Sequence, residues 1–304
     1  ATQRIEVMIS RFDALKTVDV VAARIFPELL ETAPDFSTIG GIVESDPSLT
    51  MKVLELAIQQ NIDLRAQDFS IYRIIEKLDT NSLRQAMLNL ETTGKELQTD
   101  AGAIAEQLLR HSIAVACCAG DIAQSLPARD INADLAYMAG LLHDIGKFAL
   151  AGEMPKSFAR ITDQAKEKKA LSSTIEQQEL GMDHPLLGKR LASKWRLPEE
   201  IMLAIWLHHS DTISITTVLP KARIAQVVQL ADRIARRAGT GDSGSYDEPE
   251  LNGGIGESLA IEKQRLEEIE QTLADKVAEK TRILGLGQPD LQSRYFENIK
   301  KAAG

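Results

Sequence analysis

The stretch MAGLLHDIGKFAL, residues 138–150, sets two ligand-type side chains, His143 and Asp144, inside a run that otherwise reads as a buried helix. Wound at about 100° per residue, it places His143 and Asp144 in one sector with Ala139, Gly140 and Lys147. Leu135, Met138, Leu142 and Ile145 fall on the other side. The small residues one turn earlier leave room for an ion, and a lysine follows one turn later. A histidine followed directly by an aspartate offers a cation one neutral nitrogen and one anionic oxygen, and the carboxylate can bridge two ions.

The rest of the chain reads in the same helical period. β-Branched alternation is scarce, apolar residues recur at three and four, and helix starts are frequent, so the fold class is all-α. In ESDPSLTMKVLELAIQQN, Asp46 can cap free N–H groups, Pro47 suits the first helical position, and Leu49, Val53, Leu54 and Ile58 follow at helical spacing. Thr80 opens a similar segment. From Asp100, AGAIAEQLLRHSIAVACCAGDIAQSL runs about seven turns without a breaker beyond two tolerated glycines, with His111 near its middle. Further helices are predicted after Asp130, through LLGKRLASKW, from the Pro198 start of PEEIMLAIWLHH, and through RIAQVVQLADRIARR.

Residues 239–254, GTGDSGSYDEPELNGG, form a loop, flexible by composition. Beyond it Leu259, Leu266, Ile269, Leu273 and Val277 make one narrow apolar stripe. That stripe suits a docked amphipathic helix, or a coiled-coil or linker helix toward a further domain. The expected division is an N-terminal helical part over 1–108, a helical core over 109–238, a loop over 239–256 and a C-terminal helical extension over 257–304.

Composition narrows the function classes. The 304 residues are 44% apolar, enough for a substantial core, in one large or two modest domains. Lys plus Arg total 35 against 44 Asp plus Glu, a net charge of -9, so no overall positive field gathers phosphate backbones and nucleic acid is not expected as a partner. No run approaches the roughly 20 apolar residues of a membrane span, and ATQRIEVMISRFD lacks the order of a secretory signal. The two cysteines, Cys117 and Cys118, are neighbours in an apolar stretch, which suits small-residue packing in a reducing, cytoplasmic compartment. The chain opens on Ala1 rather than methionine, as a processed piece of something longer would.

All five histidines, His111, His143, His184, His208 and His209, sit on predicted helices or at their edges among apolar residues. A single buried histidine is ordinarily structural; five together point to a site. GLLHDIGK resembles the defining motif of the HD superfamily of metal-dependent phosphohydrolases, and the surrounding stretches resemble one branch of it, the HDOD domain, a bacterial signalling module. The similarity runs from about residue 20 to residue 240. It is carried by ESDPSLTMKVLELA, HSIAVACCAGDIA, VVQLADRIA and, most specifically, GMDHPLLGKRLASKWRLPEEIMLAIWLHH. One departure is IQQN after the first motif, where the family often carries an Asn-Ser pair.

The resemblance implies a multi-helix HD-like bundle with an N-terminal helical subdomain. It also implies that His111, His143, Asp144 and Asp232 hold one ion, with Asp144 bridging to a second held by His184, His208 and His209. Such a pair of divalent ions, about 3.5–4 Å apart, supports phosphoryl displacement, with Asp144 and Lys147 as the catalytic candidates, the lysine balancing phosphate charge. Mixed imidazole and carboxylate ligands suit a transition metal, Fe, Mn, Zn or Ni, rather than Ca. Many HDOD domains have lost several of these ligands and are regarded as non-catalytic scaffolds, whereas this chain keeps them all.

After the HH pair the chain continues SDTISITTV, without the acidic residue and Gly-Tyr-Pro signature of the cyclic di-GMP phosphodiesterases of the HD-GYP branch. The leading expectation is therefore a signalling domain acting through contacts with other proteins or domains. The alternative is a working phosphohydrolase or phosphodiesterase acting on a phosphate-containing small molecule. Trp195 and Trp206 are expected in the core, and RIARR, residues 233–237, as a solvated helix end.

Overall fold

A computed structural model describes residue 9 and residues 15–64, 68–92, 100–128, 130–247 and 254–286. The expected extension beyond residue 286 and the end of the Gly-rich loop lie outside the described residues. Among those described there is no strand, only an isolated bridge between Thr17 and Thr92. No helix there is long and apolar enough to cross a membrane.

From Asp19 the described residues form five α-helices ahead of the long one: α1 (Asp19–Leu30), α2 (Phe36–Val43), α3 (Pro47–Gln59), α4 (Ile71–Lys77) and α5 (Thr80–Leu88). Asp46 caps α3 as its sequence predicts, its Oδ1 accepting from the N–H groups of Ser48 and Leu49, both at 2.9 Å. Its Oδ2 accepts from Thr17 Oγ1 at 2.8 Å, tying the incoming chain to the helix start. Helix α5 begins at Thr80, but Asp79 is its cap, accepting from Ser82 N at 2.7 Å.

The long helix α6 (Asp100–Ser125) is the spine. Around it lie α7 (Ala133–Leu142), α8 (Ile145–Glu153), α9 (Pro155–Lys168), α10 (Ser172–Leu180), α11 (His184–Lys194), α12 (Glu199–Leu207), α13 (Thr212–Thr216) and α14 (Arg223–Arg237). A short α15 (Ile255–Ser258) leads into α16 (Lys263–Ile283). One apolar cluster joins the first five helices to the rest, from Val21 and Ile39 through Ile113 and Val228. Helix α16 docks by burying Ile269, Leu273 and Val277, while Lys276 pairs with Asp121 and Lys280 with Glu44.

Two close approaches set the spacing of the centre. A Cβ on Gly140 of α7 would lie 2.8 Å from the Val115 carbonyl oxygen and 2.9 Å from Ala116 Cα of α6, so only a glycine lets these helices touch here. A Cβ on Gly146 of α8 would lie 2.1 Å from the His184 carbonyl oxygen, which seats the start of α8 against the start of α11.

Four local expectations are corrected. The run 138–150 is not one helix: α7 ends at Leu142, His143 and Asp144 form the joint, and α8 starts at Ile145. Trp195 is buried, but Trp206 is 39% exposed, its face covered by Lys189 with Nζ 3.0 Å from the ring centroid. Arg236 is not a solvated helix end: its side chain is 8% exposed and paired. The loop after α14 is anchored over its described part, with Asp242 N donating to the Gln107 carbonyl at 3.1 Å, Tyr246 N to the Ala170 carbonyl at 3.0 Å, and Ser243 and Ser245 buried.

Candidate metal centre

The helix joint delivers His143 and Asp144 to the floor of a cluster that α6, α11, α12 and α14 complete. His111 comes from the middle of α6, His184 is the first residue of α11, His208 and His209 follow the end of α12, and Asp232 lies within α14. The chain thus brings together all seven residues singled out as metal ligands. Their donor atoms form three overlapping groups, each within 4.8 Å: His184 with His208 and His209; His111 with His143 and Asp232; His143 with Asp144 and His208.

Asp144 is the hub. Its Oδ2 lies 3.2 Å from His143 Nε2 and 4.0 Å from His111 Nε2; its Oδ1 lies 3.2 Å from His184 Nε2 and 3.6 Å from His208 Nε2. Asp232 Oδ1 lies 3.1 Å from His111 Nε2. His111, His143, His184, His208 and Asp144 are at most 1% exposed, and Asp232 is 4% exposed. Only His209 is half-buried.

The outer nitrogens of three imidazoles are committed. His143 Nδ1 meets the Gly140 carbonyl at 2.7 Å and His208 Nδ1 the Ile205 carbonyl at 2.9 Å. His184 Nδ1 meets Glu176 Oε2 at 2.7 Å. A carbonyl or carboxylate oxygen can only accept, so in each case Nδ1 carries the proton and, in the neutral ring, Nε2 presents a lone pair to the centre.

Burial and neighbours push the ionisable groups apart. Burial raises the Asp144 carboxyl, but His143, Lys147 and His184 outweigh it and hold the group well below the usual carboxylate range. Asp232 is likewise lowered, its burial overcome by His111 and Arg236. Burial pushes His208 down to about 3 and lowers His111 and His209. Burial also pulls on His184, but the Glu176 carboxylate outweighs it and leaves this imidazole raised.

A divalent ion, which the resemblance implies, fits these donors. Asp144 Oδ1 and His111 Nε2 are buried without an aligned hydrogen bond, although each has polar neighbours just over 3 Å away. His184 Nε2 and His208 Nε2 stand 3.3 Å apart. Ligands about 2.1 Å from a tetrahedral ion lie roughly 3.4 Å from one another, which matches the triangle made by these two nitrogens and Asp144 Oδ1. The donors are mixed nitrogen and oxygen, with no thiolate: Cys118, near the face of His111 in sequence, is a buried free thiol whose burial keeps it protonated.

Lys147, expected to balance phosphate charge, is instead 1% exposed, and its Nζ donates to Asp144 Oδ2 at 2.8 Å. Two contributors are not legible in the motif. Glu176 of α10, fully buried, accepts from both the backbone N–H and the Nδ1 of His184. Arg236, one turn after Asp232, approaches its Oδ2 to 3.8 Å and is anchored in turn by Asp247. Neither stands at a spacing that marks it; Glu176 looks like any other acid in EQQEL.

The HDOD domain model matches residues 15–211, ending ahead of Asp232 and Arg236. Among solved structures, an MmoQ response regulator from Methylococcus capsulatus is similar with a TM-score of 0.66 at 21% identity, covering 86% of this chain and 99% of that one. An HDOD domain protein from Geobacter sulfurreducens has a TM-score of 0.54 at 22% identity, covering 93% and 99%. In sequence, a ribonuclease Y of Desulfotalea psychrophila is 31% identical over 130 residues, 43% of this chain and 18% of that protein. The chain spans about a third or less of the first curated relatives it matches.

Proposed function

This chain belongs to the HDOD domain family, and from that premise we propose that it is a cytoplasmic signal-transduction domain acting through contacts with other proteins or domains. Its buried His and Asp cluster would hold a divalent transition metal for structure or regulation. One observation carries the metal assignment: His143, His184 and His208 each have Nδ1 fixed by an acceptor, so three Nε2 atoms converge on Asp144 at ligand spacing. The same burial favours a regulatory over a catalytic role, because a phosphate ester has to reach the ion and the central donors are at most 1% exposed. The signalling reading draws on the family, and on the response regulator that shares the fold.

The second reading, a metal-dependent phosphohydrolase or phosphodiesterase acting on a nucleotide or signalling phosphate, is favoured by the complete donor set and the half-buried His209. A bound divalent ion would polarise a phosphoryl oxygen and lower the pKa of a bound water. The protein's own contribution would be to orient His143, His184 and His208 and keep Asp144 ionised.

Metal content of the purified chain, with hydrolysis of bis(p-nitrophenyl) phosphate and a nucleotide panel under added Mn or Fe, separates the two. The expected result is bound metal without turnover. Turnover that disappears in Asp144→Ala would overturn the signalling-only reading, and wild-type metal content in both His143→Ala and His208→Ala would refute the centre itself.

A further inference from the structure

We propose that this centre takes one divalent ion rather than two, the Lys147 ammonium standing permanently where a second ion would have to bind Asp144. This count rests on the metal-centre reading above and replaces the dinuclear arrangement that family resemblance implies.

The geometry at Asp144 is the first support. A carboxylate that bridges two ions gives one oxygen to each. Here Oδ2 already accepts from Lys147 Nζ at 2.8 Å, while Oδ1 has no hydrogen-bond partner and faces His184 and His208. Lys147 does not reach in from solvent: it is 1% exposed and sits in the first turn of α8, its own N–H donating to the Asp144 carbonyl at 2.8 Å. The ammonium is therefore fixed to the same backbone turn as the carboxylate it neutralises.

Asp232, the other carboxylate a second ion would need, repeats the pattern. A buried guanidinium, Arg236, lies 3.8 Å from its Oδ2 and is held by the Asp247 carboxylate and by the Asp247 carbonyl at 2.7 Å. Each carboxylate of the ligand set thus has one oxygen beside a built-in cation, and Asp144 Oδ2, which also lies 3.2 Å from His143 Nε2, is closer to the ammonium than to any imidazole.

Charge balance agrees. The buried carboxylates Asp144, Asp232 and Glu176 stand with the buried cations Lys147 and Arg236, leaving a net charge of −1 with neutral imidazoles, the part-exposed Asp247 aside; one divalent ion takes the site to +1 and a second would take it to +3. Uncompensated buried charge is strongly unfavourable. The two fixed cations fill the electrostatic place of the second metal.

The test is the stoichiometry and magnetic state of the full chain, stripped with chelator and saturated with Mn²⁺. One Mn per chain with an uncoupled six-line electron paramagnetic resonance spectrum is expected. Two Mn with a spin-coupled spectrum would overturn the single-ion count while leaving the metal centre intact; no bound Mn would overturn the metal reading and this count with it. Lys147→Met, or Lys147→Gln if that variant is insoluble, is expected to raise the ratio toward two. A ratio that stays at one in a folded neutral variant refutes the role of Lys147, and the wild-type spectrum decides the count even if neither variant folds.

Discussion

Glu176 Oε2 accepts at once from the backbone N–H of His184, at 2.5 Å, and from its Nδ1, at 2.7 Å, so one buried carboxylate fixes both the start of α11 and the ring it carries. The ring's other nitrogen faces Asp144 Oδ1 at 3.2 Å. Partners of this kind set the tautomer and basicity of a ligating histidine, and losing them commonly weakens metal binding about 10–100-fold. Glu176→Gln keeps the volume and removes the charge, so metal affinity measured by competition with a chromophoric chelator should fall by that factor. An unchanged affinity would show that His184 needs no such support.

Acid should release the metal, through the proton that His184 takes up. In the metal-free fold the His184 pKa is raised, so its protonated form stabilises that fold fully below about 6.5, the ordinary imidazole value, and this contribution is lost as pH rises through the raised pKa. Ligation demands the neutral ring, so affinity moves oppositely: it should fall about tenfold per pH unit below that raised pKa, one proton displacing one ion. His208, pushed down to about 3, stays neutral throughout and adds no proton of its own to this window. Isothermal titration between pH 8 and pH 5.5 measures the slope; a flat profile would exclude His184 as a ligand.

Chelation should lower the melting temperature. An ion bound only by the folded chain adds about 2.7 kcal/mol of stability when its free concentration is 100 times Kd. Scanning calorimetry before and after exhaustive chelation reads the change, and an unaltered melting temperature would count against a structural metal.

Gly146→Ala tests the seat of α8. Its Cβ would meet the His184 carbonyl oxygen at 2.1 Å, a backbone group that cannot swing aside, so destabilisation at or above the usual 1–3 kcal/mol or so of overpacking is expected, along with weaker metal binding. Gly152→Ala, later in the same helix, meets only the flexible Lys16 side chain at 3.7 Å and should be neutral or stabilising by up to about 1 kcal/mol. Similar denaturant midpoints for the two variants would mean that the α8 and α11 contact is not a constraint.

Much of the architecture is legible from the residues. The all-α class, the start of α3 at Asp46 and Pro47, the long helix from Asp100 and the meeting of the five histidines with Asp144 and Asp232 follow from periodicity, capping chemistry and family resemblance. Local pattern fails where a distant segment decides. Nothing within GLLHDIGK ends a helix at Leu142; the close seat of Gly146 on His184 accompanies that break and lies some forty residues downstream. Arg236 looks like one more basic residue at a helix end until Asp232 and Asp247 enclose it, and Trp206 stands at the surface with Lys189 over its face.

The donors of the proposed centre are scattered from His111 on the spine to Asp232 within α14, with the joint between α7 and α8, the first residue of α11 and the histidines just after α12 in between. No contiguous fragment shorter than that span contains the full set. A nick that let α6 and α14 drift apart would scatter the whole donor set at once, so occupancy by the proposed ion would be a readout of topological integrity, reporting whether segments far apart in synthesis have found one another.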